Sequence, residues 1–214
     1  MCKTIFNFIL FGLGTCIIGF SCSNHDPSNQ ESTQNNAESQ DLENEPYVNY
    51  DSIWLEEFVA FRDAVYRQDL QAIKGFVDFP MEPGLIWDLA YSEDSPEYQS
   101  AVKNNSPFTE KHFDATYKKI FSPDFTKCIL KVKSKELFEK GEYSTQRLIK
   151  DNVTHFIIAD YRTDDFTLRL SLLKHTLIIF DDDDSEPFNA ESSVIYFFKL
   201  INNKLKFTGV QMAG

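Results

Sequence analysis

Phe166-Thr167-Leu168-Arg169-Leu170-Ser171-Leu172 alternates apolar and polar residues with a period of two, the pattern of a strand buried on one face. Upstream, Val153 to Tyr161 is rich in β-branched and aromatic residues, and downstream Thr176 to Phe180 is apolar on both sides. Ser193 to Ile201 and Lys204 to Met212 then flank Asn202-Asn203, a two-residue hairpin turn. Together these segments predict an antiparallel meander. Before Gly141 the period is helical. Asp51 or Ser52 can cap a helix carrying Trp54, Phe58, Phe61 and Val65 on one side. Asp69 restarts the chain, with Ile73, Phe76 and Val77 facing inward until Phe79-Pro80. Pro83-Gly84 and Ser95-Pro96 mark a loop region, with a helical turn over 97–103. Thr109 opens a helix with Phe113, Tyr117 and Ile120 on one face, and Ser122-Pro123 opens a short helix through Leu130. Helices first and a meander after them predict an α+β domain.

The N-terminal region is of another kind. Lys3 precedes an apolar stretch, Ile5 to Phe20, that is short for a membrane span but suits a signal peptide. Gly19 and Ser21 place small residues before Cys22, and a Ser/Asn/Gln-rich acidic tail follows. Ile17-Ile18-Gly19-Phe20-Ser21-Cys22 resembles the lipobox of bacterial lipoproteins, with Gly19 where leucine is usual and Phe20 before Ser21. The resemblance implies a signal peptide over 1–21, acyl chains on Cys22, a polar spacer over 22–46 and a single domain over 47–214. It implies a lipid-anchored protein of the cell envelope, on the periplasmic or the surface face. Stable anchoring needs more than one acyl chain, each buried methylene contributing about 0.8 kcal/mol. An ordinary secretory peptide or an uncleaved anchor are the alternatives, and Cys16 is a second cysteine inside the apolar run.

Composition narrows the partners. The chain has a formal net charge of −12, and removal of Lys3 with the leader leaves 20 basic against 33 acidic residues. Such a surface repels phosphate backbones, which excludes nucleic acid as an expected partner. Residues 23–46 carry six acids and no Lys or Arg, the composition of a disordered spacer. Cys2 and Cys16 leave with the leader, so Cys128 remains beside Cys22, set between Phe125 and Ile129-Leu130 as a small buried hydrophobe.

Few residues suggest chemistry. Asp181-Asp182-Asp183-Asp184 lacks the spacing and glycine of a calcium loop and reads as a solvated turn. His112, His155 and His175 share no metal-ligand spacing, so neither metal nor cofactor is expected. His155 or His175 could face the concave side of the sheet. Tyr196 and Phe198 share a strand face with Val194 and Leu200, while Ile195 and Phe197 take the other. A strand apolar on both faces is either core or the wall of a ligand site, which makes Tyr196 and Phe198 candidate ligand-binding residues.

Phe58-x-x-Phe61-x-x-Ala64-Val65, followed by Gln68-Asp69-Leu70 and Ile73, is similar to the N-terminal helical segment of the nuclear transport factor two-like, cystatin-like superfamily. Phe76-Val77-Asp78-Phe79-Pro80, Phe113 to Phe121 and Ala213-Gly214 are similar to lipoprotein domains of that superfamily. The resemblance implies N-terminal helices packed on a strongly curved antiparallel sheet, forming a cone with a pocket. It leaves three functional classes open. The first is a binding module for a small apolar ligand or a protein. The second is an isomerase- or hydrolase-type enzyme with a His/Asp pair in the pocket. The third is an immunity- or assembly-type protein that binds a partner.

Overall fold

In the computed structural model, which describes residues 50–179 and 188–214, side-chain caps start several helices where the chain was read to start them. The Asp69 carboxylate accepts from the Ala72 N–H and opens α2 (Leu70–Gly75). Ser95 caps α4 (Pro96–Asn104) through the Tyr98 N–H. Thr109 opens α5 (Glu110–Ile120), and Ser122 accepts from the Phe125 N–H to open α6 (Pro123–Ile129). Each such cap contributes about 1 kcal/mol by satisfying an amide that the helix cannot.

The differences from the sequence reading have local causes. The first helix, α1 (Tyr50–Arg67), begins earlier than expected, so Asp51 and Ser52 lie inside its first turn. α2 stops at Gly75, because Phe76 to Asp78 leave it to pair with the last strand. There Phe207 N–H donates to Phe76 O and Asp78 N–H donates to Phe207 O. A short helix, α3 (Ile86–Ala90), sits inside the segment read as loop, and α7 (Ser134–Lys140) closes on Gly141 with φ 79°. Phe166 is not in a strand. It lies in the turn before β4 at φ 49°, and it is exposed.

The sheet is a meander of antiparallel neighbours. β1 (Glu142–Ser144) and β2 (Leu148–Lys150) share one edge, both pairing with β3 (Val153–Arg162). β4 (Thr167–Ile178), β5 (Phe188–Ile201) and β6 (Lys204–Ala213) follow in spatial order, with Asn202 and Asn203 both at positive φ in the last turn. The described residues thus form an α+β fold of seven helices and a six-stranded antiparallel sheet.

The helices cover one face of that sheet, and register divides this inner face into rows. Tyr161, Leu168, Phe198 and Phe207 make the first row, all buried. Ala159, Leu170, Tyr196 and Val210 make the second. Helix aromatics lie on both: Phe61 is 5.0 Å from Phe198, Phe121 is 5.3 Å from Phe207, and Phe125 is 4.4 Å from Tyr196 between ring centroids. Burying each such side chain contributes on the order of 1.5–3 kcal/mol.

Two polar clasps hold helices to this core. Arg62 donates to Val132 O, Ser134 Oγ and Leu130 O, tying α1 to the α6–α7 connection. Glu57 accepts from Lys204 Nζ and from the Leu205 N–H, tying α1 to β6.

Candidate functional site

The inner face changes character in its third and fourth rows. Ile157, Leu172, Val194 and Met212 make the third, and its members grow more accessible towards β6. In the fourth row the alternation that had placed leucine, isoleucine and tyrosine inward places His155, Lys174 and Ser192 instead. Gly214 packs on Ser192, where an added Cβ would come 2.9 Å from the Glu191 carbonyl oxygen. Above these rows stands the start of α6, with Ser122 and Asp124. The result is an open cleft of about 600 Å³, a volume in the range of small-ligand sites.

The cleft has an apolar floor and a polar wall. Leu172, Val194 and Met212 form the floor. On the wall, His155 Nε2 lies 3.8 Å from Asp124 Oδ2, with the histidine side chain 17% exposed. That separation is an ion-pair distance and is longer than a hydrogen bond. Asp124 also faces Lys127 Nζ at 3.6 Å. Lys174 is the cross-strand partner of His155 and lines the same cleft.

The other sequence candidates sit elsewhere. Tyr196 and Phe198 are buried in the second and first rows and line no described cavity. The Tyr196 hydroxyl donates to Ile120 O at 2.9 Å, and burial pushes its phenol far above the usual range. Their strand and face are those of the cleft, but they lie in the buried rows, away from Val194 and Ser192, where the cleft opens. His112 belongs to a capping arrangement: its Nδ1 accepts from the Thr109 N–H at 3.1 Å and lies 3.0 Å from Thr109 Oγ1. Its ring packs against Trp87 and Phe108, and desolvation lowers its pKa below the ordinary histidine value. His175 is on the outer face, edge-on to Phe156 and 3.6 Å from Glu191. Cys128 is fully buried, and burial pushes its thiol up to about 11, so it is inert packing. Cys22, the 22–46 spacer and Asp181 to Asp184 lie outside the described residues.

The sequence reading missed Asp124, Lys174, Ser192 and Met212. A second cavity of about 220 Å³, among Val65, Ile73, Tyr117 and Phe121, is smaller and mainly apolar. Among the described residues no group of acids, histidines and cysteines has the arrangement of a metal site. No described helix is long and apolar enough to cross a membrane. Compared with known proteins, the chain matches no family model and no curated protein.

Proposed function

We propose that the protein is a lipoprotein of the bacterial cell envelope whose α+β domain binds a small amphipathic molecule in the cleft of β3–β6 and α6. The observation that carries this reading is the change along one sheet face from buried aromatics to an open, half-apolar cleft with His155, Lys174 and Asp124 on its wall. Helices on one side of the meander, with a cavity at one end of the covered face, also fit the cone of the nuclear transport factor two-like superfamily. The tether rests on Cys22 and the polar segment behind it. Native mass spectrometry of the protein purified from its own membranes tests the binding. An adduct that disappears in Val194→Trp supports the reading, and an unliganded mass in both proteins counts against it. For the tether, labelled palmitate should be incorporated by the wild type and not by Cys22→Ser.

A second reading has one observation behind it. His155 and Asp124 stand 3.8 Å apart inside a cleft, and an isomerase- or hydrolase-type enzyme would need such a histidine and carboxylate, drawn into hydrogen-bond reach, for proton transfer. In that case His155→Gln would abolish turnover while ligand binding persists.

A further inference from the structure

We infer that the ligand of this cleft is a small carboxylate with an apolar body, its carboxylate held by Lys174 and Ser192 and its body lying over Leu172, Val194 and Met212. This assignment rests on the reading of the cleft as a ligand site. The floor is continuous in one direction: Leu172, Val194 and Met212 are register partners on three neighbouring strands, a path of about 10 Å. The polar row runs beside it, so an amphipathic molecule lying across the strands meets both at once.

The sign of the head group follows from the charges that face it. Asp124 is the side-chain carboxylate on the wall, and it already faces Lys127 at 3.6 Å and His155 at 3.8 Å. Lys174 is the cross-strand neighbour of His155, and no carboxylate among the described residues pairs with it. The position is also out of pattern, since Leu168, Leu170 and Leu172 precede this lysine on the same inward face of β4. An ammonium offers three donors to a carboxylate, and the Ser192 hydroxyl on the next strand can add another. A cationic ligand would instead meet Lys174 directly and would have to displace Lys127 or His155 from Asp124.

A linear fatty acid and a compact acylated amino acid share this chemistry, so octanoate and N-acetylleucine are the two probes, with octylammonium as the control. Methyl spectra of the full chain report on Leu172, Val194 and Met212. Binding of either carboxylate at these methyls, weakened about fivefold in Lys174→Gln and restored in Lys174→Arg, supports the assignment; the tighter probe names the source. Lys174 is exposed, so neither substitution removes core packing. If octylammonium perturbs the same methyls at least as tightly as both carboxylates, the assignment is overturned while the cleft remains a ligand site. Should binding be the same in Lys174→Gln, the anionic head group is placed wrongly. If no probe moves these methyls, the ligand-site reading falls together with the assignment.

Discussion

The two ends of the inner sheet face are built from the same four strands, β3 to β6, and differ in what covers them. At the closed end, Phe198 and Phe207 meet Phe61 and Phe121, and the row is fully buried. At the open end, the same strands present Leu172, Val194 and Met212 beside His155, Lys174 and Ser192. α5 ends at Ile120, whose carbonyl takes the Tyr196 hydroxyl, and the start of α6 lines the cleft with Ser122 and Asp124. Tyr196 therefore marks the boundary: its ring packs on Phe121 and Phe125 in the core, and the next two inward rows carry no phenylalanine, tyrosine or tryptophan. The difference teaches that stability and binding are separated along single strands, within a few residues of each other.

The largest expected effect breaks that separation if it fails. Phe198→Ala should cost about 3–5 kcal/mol of unfolding free energy, through lost burial and a cavity that the helices cannot collapse into. Val194→Ala, on the same strand and face but half-buried, should cost about 1 kcal/mol. Urea denaturation of the two variants checks this. Equal losses would mean that the open end is as tightly packed as the closed one, and the cleft would lose its meaning as a site.

Much of the fold was legible because local rules carry it. The period-two alternation and Asn202-Asn203 define β4 to β6, and Asp69, Thr109 and Ser122 mark helix starts by their side-chain oxygens, whereas Ser95, a loop marker in the sequence, turns out to cap α4. α3 was missed because five residues between Pro83-Gly84 and Ser95 are too few to show a helical period, and Leu85 at its start offers no side-chain cap. The cleft was illegible for another reason. His155, Lys174, Ser192 and Met212 come from four strands, and only register brings them together. A partial signal was present. The inward apolar series Leu168-Leu170-Leu172, Phe198-Tyr196-Val194 and Tyr161-Ala159-Ile157 each end in a polar residue at the next inward position. β5 is apolar on both faces, which points to Tyr196 and Phe198. Alternation says which residues share a face, and it does not say how far along that face the helices reach.

Tyr196→Phe sharpens the boundary with a smaller effect. Loss of the hydroxyl leaves Ile120 O without this donor and should lower stability by about 1 kcal/mol. Affinity for the cleft ligand should stay at the wild-type value, since the hydroxyl points to α5 and lines no described cavity. A large loss of affinity with unchanged stability would return Tyr196 to the ligand site.

The smallest effect carries the same contrast into the histidines. His155 stands in the open cleft with a carboxylate near it, whereas His112 is enclosed by Trp87 and Phe108 and spends its Nδ1 on the Thr109 amide. Desolvation, assisted by Lys111, lowers the His112 pKa in the folded protein. The unfolded chain, titrating near the ordinary value of about 6.5, then binds the proton more readily than the folded one. Stability contributed by the neutral ring is fully present above that value. It is lost as pH falls from there through the lowered folded pKa, and it levels off below. A protonated Nδ1 could no longer accept from Thr109, which adds to the loss in the same direction. His112→Gln keeps an acceptor at the third helical position and cannot titrate, so it should retain the cap and flatten this part of the pH profile. Urea midpoints between pH 7.5 and pH 5 measure it. A wild-type decline that persists undiminished in His112→Gln would assign the acid sensitivity to another group, with His155 and Asp124 at the open end the next pair to substitute.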